Sequence, residues 1–377
     1  MIHPVRPPHP SRPGAPLRTG SRLADTRRAI DAHLTDFLDA KTHASKHSPV
    51  PDDVPEILGQ FLFHGGKRLR PLLCVNGWHA AGGQAIEEGG GEPHEVIRVA
   101  ASLEMFHAFC LIHDDIMDSS DLRRGHPTLH RAFSARHSMG RNPRQTERVG
   151  TNLALLVGDL ALVWSDELLH DAGLAPARLS RLLPLIDTMR CEVMYGQYLD
   201  VAATGRPTPD LGHAMEIVRY KTAKYTVERP LHIGATLAGA TPELLRGLTA
   251  YALPLGEAFQ LRDDLLGAFN SPAITGKADT DDLRDGKHTV LLATALQSAD
   301  PTQYATLHAL LSAPRRTHDE TDRLRRLLAA TGARDHVENK IKTCRAQALH
   351  ALEQIPLPSA AGDALREMAD AATLRTK

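Results

Sequence analysis

Aromatic residues are scarce: Phe, Trp and Tyr together make up 4% of the 377 residues. β-Sandwiches and barrels draw on aromatic and β-branched runs, whereas Ala and Leu recur throughout this chain, so the composition points to an all-α protein. Cysteine is scarcer still. Cys74, Cys110, Cys191 and Cys344 are far apart, at neither metal-knuckle nor redox spacing, which predicts free thiols in a reducing compartment. No run of about 18 apolar residues occurs, the length that spans a bilayer, and the N-terminus lacks the apolar segment of a signal peptide; a soluble, cytoplasmic chain is expected. An excess of one charge is missing too. Lys plus Arg number 44 against 45 Asp plus Glu, leaving no global field to hold nucleic acid or an acidic membrane. The 21 histidines are scattered, without the i, i+4 pair and carboxylate of a common transition-metal site.

What is present is helical periodicity, starting near Arg22 and recurring to the end. The first twenty residues carry prolines at 4, 7, 8, 10, 13 and 16, which deny the backbone helical hydrogen bonds. Residues 1–21 are therefore expected to be a disordered tail and 22–377 a single all-α domain. Two long gaps interrupt the pattern. Ala81 to Pro93, with Gly89, Gly90 and Gly91, offers no chemistry and reads as a disordered loop. Asn270 to Thr289, polar and rich in Asp, Lys and Gly, follows two aspartates and reads as an active-site lid. Leu324 to Leu349 interleaves charge with Leu, Ala and Val, the pattern of peripheral helices.

The chemistry starts in the stretch Glu92 to Ser119. Val96, Val99, Ala100, Leu103, Phe106 and Cys110 recur at three and four residues, and the stripe then runs into Asp114 and Asp118, each one turn further on. Two carboxylates at the negative end of a helix dipole repel each other and the dipole. A hard divalent cation reverses that cost, and magnesium, whose other ligands are waters and phosphate oxygens, suits the pair. Asp115, a third of a turn away, is a supporting group. A second helical stretch, Gly256 to Ala268, places Gln260, Asp263 and Asp264 one turn apart after an apolar run. Basic residues lie near both stretches: Lys67, Arg68 and Arg70; Arg123 and Arg124; Lys221 and Lys224; Lys277, Arg284 and Lys287. Carboxylates for a metal together with several cations indicate a ligand with multiple phosphates.

These residues fall into motifs: GGKRLRP at 65–71, ExxHxxxLIHDDIMD at 104–118, RRGHPT at 123–128, GQYLD at 196–200, YKTAKYT at 220–226, and QLRDDLLG at 260–267 followed by GKADTDDLRDGK. In that order and spacing the chain resembles the polyprenyl synthetase family, the trans-isoprenyl diphosphate synthases, over roughly Phe61 to Leu292. The resemblance implies the isoprenoid synthase type I fold, with helices around a central cavity, usually as a homodimer, and the two Asp motifs facing across its mouth. It implies magnesium, three ions with substrate bound, held by Asp114, Asp118 and Asp263 with Asp115 and Asp264 in support. Arg123, Lys221 and Lys277 match contacts to the allylic diphosphate, and Thr222 and Gln260 match residues shaping the reacting site. Lys67, Arg70, His107 and Arg124 match the pocket for isopentenyl diphosphate, and Lys287 matches a basic residue of the closing segment. Gly267 departs from the pattern, standing where many relatives carry a third aspartate; a weaker hold on one magnesium is expected.

Ionisation of an allylic diphosphate (dimethylallyl, geranyl or farnesyl), attack by isopentenyl diphosphate and loss of a proton is the reaction implied. The apolar face below Asp114 is then the wall along which the product tail descends. Phe109 and Cys110 lie roughly 6 to 8 Å down the helix, and Phe106 about 12 Å. In the family an aromatic pair at the shallow positions goes with a fifteen-carbon product. Here one of the two is cysteine, which favours geranylgeranyl over farnesyl diphosphate. Two other classes share the fold. A class I terpene cyclase carries an Asn/Asp, Ser/Thr, Glu second motif that is not found here, and a non-catalytic subunit tends to lose the aspartates that this chain keeps.

Overall fold

In a computed structural model the described residues are 19–45, 53–85, 91–269, 283, 287–312 and 317–374. The described residues are helical almost throughout, in line with the composition. Helix α1 (Thr19–Ser45) already begins at the first described residue and is followed by α2 (Asp53–Phe63), α3 (Leu69–Ala80) and α4 (His94–Met117). A two-stranded hairpin, β1 (Leu122–Arg123) and β2 (His126–Pro127), leads to α5 (Leu129–Arg136), α6 (Pro143–His170) and α7 (Pro176–Ala203). Then come α8 (Leu211–Ile217), a π-helical segment (Val218–Glu228), α9 (Arg229–Leu237) and α10 (Pro242–Phe269). The chain closes with α11 (Val290–Ser298), α12 (Pro301–Leu311), α13 (His318–Ala330), α14 (Ala333–Glu353) and α15 (Ser359–Thr373). The tail before Thr19, the glycine run at 89–90 and most of the expected lid lie outside the described residues.

Helix α4 is the axis of the N-terminal half. Val96, Val99, Ala100, Leu103 and Phe106 are all buried, and they share one core with α1, α2, α3, α6 and α7. Helix α4 is long and apolar enough to cross a membrane by length and composition, with a window of mean hydropathy 1.4, but two thirds of that window is buried inside the protein, as befits a central core helix. A second core joins α8 and α10 to α11–α14, and Leu283 is buried in it. A third joins α3, α9, α10, α14 and α15, where Tyr251 is fully buried and donates its hydroxyl to Leu365 O at 2.7 Å.

Local chemistry fixes the ends that matter. At the C-terminus of α4, Ser119 takes φ 52° and the Ser120 N–H reaches back to Asp115 O at 2.9 Å, a left-handed closure that stops the helix just past Asp118. Arg124 (φ 53°) and Gly125 (φ 79°) are both left-handed between Arg123 and His126, the geometry of a type I′ turn. The all-α reading did not foresee that hairpin, because two residues per strand are too few for an alternating pattern. Helix α6 starts on a capping box between Asn142 and Gln145 with Pro143 in its first turn.

Candidate active site

Asp114 accepts from Gln197 Nε2 (3.0 Å) and from Lys221 Nζ (3.1 Å), while Lys221 also donates to Asp200 Oδ2 at 2.6 Å. One turn on, Asp118 is paired with Lys287, the residue expected on the closing segment. Burial works against charge on Asp114, but Lys221, Lys287 and Arg123 outweigh it and hold the carboxyl below the usual range. Burial and the neighbouring Asp114 charge push Asp118 the other way, to about 6, in spite of Lys287. That donor set, two carboxylates one turn apart, fits a hard divalent cation completed by substrate oxygens.

Asp115 is turned away from this pair. It is 2% exposed and holds Arg123 by both carboxylate oxygens, at 2.6–2.9 Å. The supporting role expected of Asp115 is seen here as fixing Arg123, whose guanidinium also lies 3.5 Å from Asp114. Helical spacing explains the split, since i+1 rotates a side chain about 100° from the i, i+4 stripe.

The second acidic motif meets the first through the π-helical segment. Thr222, next to Lys221, donates to Gln260 Oε1 at 2.6 Å, and Gln260 Nε2 donates to Asp264 Oδ1 at 2.7 Å. Asp263 lies half-buried beside them on α10. Helix α10 runs on through Gly267 to Phe269, and Arg325 donates to Ala268 O at 2.9 Å. Two glycines let the neighbouring helices close on the π segment. A Cβ on Gly196 of α7 would sit 2.3 Å from Lys221 N, and one on Gly256 of α10 would sit 2.4 Å from Ala223 Cα. The wider π turn also separates the two lysines of YKTAKYT: Lys224 leaves the site and pairs with Glu192 (2.8 Å) and Glu228 (3.3 Å).

A second group of cations gathers around Tyr225. Arg70 lies with its guanidinium 4.3 Å from the Tyr225 ring centroid, donates to Thr226 Oγ1 at 2.6 Å and keeps a buried Nε without a partner. Tyr225 Oη is 3.3 Å from His107 Nδ1. Burial first, then Arg70, Arg124, Arg123 and Arg68, hold His107 well below its ordinary value, so the ring is a neutral partner. Arg124 reaches over Gly66 and makes no ion pair among the described residues; burial and the neighbouring arginines lower its pKa. Lys67 is exposed on the same loop. Such a set, with an orphaned N–H and an unneutralised guanidinium, suits a polyanion. Arg68, read with the other bases of GGKRLRP, points inward instead: it is buried and tied to Asp31 (2.6 Å) and Glu104 (3.1 Å).

Along α4 below the acids, Cys110 lies near Tyr225, Phe106 is 1% exposed, and Phe106 and Phe109 have ring centroids 5.4 Å apart. Phe109 also meets His113 edge-on at 4.6 Å. Lys277 and Arg284 lie outside the described residues. Sequence reasoning gave no role to Gln197, Asp200 or Tyr225, although GQYLD and YKTAKYT had been singled out; nothing in a lone sequence shows that α7 faces Lys221.

A model of the polyprenyl synthetase family matches residues 52–329. The fold is similar to that of a geranylgeranyl pyrophosphate synthase from Corynebacterium glutamicum, solved with isoprenyl diphosphate and magnesium, at TM-score 0.87 and 39% identity, covering 93% of this chain and 99% of that one. A geranylfarnesyl diphosphate synthase of Aeropyrum pernix is 29% identical over 87% of this chain and 92% of its own length. A (2E,6E)-farnesyl diphosphate synthase of Mycobacterium tuberculosis is 34% identical over 60% of this chain and 55% of its own.

Proposed function

This chain belongs to the polyprenyl synthetase family, and from that premise we propose that it is a magnesium-dependent trans-prenyltransferase joining isopentenyl diphosphate to dimethylallyl, geranyl or farnesyl diphosphate, with geranylgeranyl diphosphate as its main product. The observation that carries this reading is the bridge between the two acidic motifs: adjacent residues of one π-helical segment hold Asp114 through Lys221 and Gln260 through Thr222. Bound by Asp114, Asp118 and Asp263, magnesium supplies positive charge against the negative charge that grows on the departing diphosphate.

The side chains do the rest. Lys221, Arg123 and Lys287 hold the allylic diphosphate as its C–O bond breaks, and Asp115 keeps Arg123 in place for that task. Arg70, Arg124 and Lys67 hold the diphosphate of isopentenyl diphosphate, while neutral His107 offers a hydrogen bond without adding charge. The alkene then closes the new C–C bond and the departing diphosphate takes the proton, so no protein nucleophile is required. Thr222 and Gln260 line the reacting carbons, and their mutual hydrogen bond fixes both. The twenty-carbon product rests on Cys110 beside Phe109 and on the similarity to a geranylgeranyl synthase; the farnesyl-making relative supports a fifteen-carbon product as the alternative. Exposed Leu156 and Val163 on α6, with Met194 and Tyr198 on α7, support a second copy as the partner.

Incubation with magnesium, isopentenyl diphosphate and each of the three allylic primers, followed by mass analysis of intact and phosphatase-treated products, tests the reading. A C20 diphosphate from all three is expected. A C15 end point moves the product to farnesyl, and absence of any elongation overturns the assignment.

A further inference from the structure

Below Phe106, the deepest side chain of the expected elongation wall, the protein holds a charge. The guanidinium carbon of Arg190, from α7, lies 5.1 Å from the Phe106 ring centroid. Its Nη2 pairs with Asp166 Oδ1 at 2.6 Å and donates to Ser165 Oγ at 3.2 Å, both on α6. Ser165 is fully buried, and the Arg190 side chain is 18% exposed. Arg190 Nε is buried without a hydrogen-bond partner, so the Phe106 ring is the group that shields this end of the guanidinium, as a cation over an aromatic face. Arg190 and Asp166 therefore set a charged pair beside Phe106 where α6 and α7 meet α4, next to the apolar core those helices share.

Resting on the reading of α4 as the wall for the growing tail, we propose that Arg190 is a specificity-determining residue which, with Asp166, forms a polar second floor under Phe106 and limits product length even when Phe106 is removed. A hydrocarbon tail passing the position of Phe106 meets an N–H that it cannot satisfy and a guanidinium that it would have to part from its carboxylate. Arginine does not deprotonate in proteins, so this barrier stays charged at every working pH. Volume alone does not set it. Methionine and glutamine both approach the length of the arginine stem, and only methionine is apolar.

The test is the product distribution formed from farnesyl diphosphate, isopentenyl diphosphate and magnesium by a set of variants whose folding is checked by circular dichroism and thermal unfolding. Phe106→Ala alone is expected to lengthen the product by no more than one five-carbon unit. Phe106→Ala with Arg190→Met is expected to lengthen it by two or more, whereas Phe106→Ala with Arg190→Gln stays with the single variant. Arg190→Met alone keeps the wild-type length, because Phe106 still stands above it. If the methionine double variant matches Phe106→Ala, if glutamine lengthens as well as methionine, or if Arg190→Met lengthens by itself, the polar floor is wrong. Should Phe106→Ala not fold, Phe106→Leu serves as the background and the same comparisons decide. A wild-type protein that elongates no primer overturns the functional reading instead, so the two failures are distinct.

Discussion

Asp114 and Asp118 are chemically identical residues one helical turn apart, and their surroundings drive them in opposite directions. Lys221 and Arg123 keep the first ionised, while burial beside that charge makes the second a weak acid at about 6. Replacing Asp114 with alanine removes the residue that Lys221 and Gln197 both hold, and turnover is expected to fall by at least about 10²–10³-fold. Circular dichroism should show the fold intact; wild-type rates would remove Asp114 from the site. Phe109→Ala is expected to lengthen the product, and an unchanged distribution would reduce Phe109 to packing against His113. His107 gives a pH prediction. Its folded pKa lies below 6.5, so beneath that pH the unfolded chain binds the extra proton and stability is lost as pH falls. His113, His130, His232 and His288 shift in the same direction. Urea midpoints should therefore drop below pH 6.5, and His107→Gln should flatten that slope by up to one proton, about 1.4 kcal/mol per pH unit.

At the scale of elements, the π-helical segment from Val218 to Glu228 organises the site. An α-helix over the same residues would turn Lys224 nearer to Lys221; the wider winding sends one lysine to Asp114 and Asp200 and the other to the carboxylates of Glu192 and Glu228. Its position depends on close backbone contact with α7 at Gly196. Gly196→Ala puts a methyl group 2.3 Å from Lys221 N, too near for any small adjustment of a side chain to relieve. Overpacking of this kind costs about 1–3 kcal/mol, which chemical denaturation can measure. Because the atom displaced is the backbone of Lys221, turnover is expected to fall more than a stability loss of that size explains. Equal activity at equal folded fraction would dissociate Gly196 from the site.

For the whole molecule, three cores are built around two long helices, α4 and α10, whose ends carry the acids. Among the described residues, most of the exposed large apolar side chains lie on α6 and α7, where Leu156 is 60% and Tyr198 70% exposed. A homodimer formed through that face is expected, and Leu156→Arg should shift the mass measured by light scattering from dimer to monomer. A wild-type monomer at micromolar concentration would remove the second copy from the proposal.

The sequence by itself determined the helical class, since scarce aromatics and recurrent Ala and Leu leave little material for sheets, and it pointed to the acidic and basic residues of the candidate site. Asp114 and Asp118 are legible because helical spacing is local: residues four apart share a face whatever the rest of the chain does. The same argument separates Asp115 from the pair, but only the tertiary structure shows that its partner is Arg123 in a type I′ hairpin. The tertiary structure also decided that Arg68 belongs to Asp31 and Glu104, that Lys224 leaves the site, and that Gln197, Asp200 and Tyr225 enter it. Each of these depends on which side chains meet across helices far apart in the chain, and one sequence holds no record of such meetings. Arg190 beneath Phe106 is the clearest case: 84 positions separate the two, and the contact exists only because α4, α6 and α7 pack into one core.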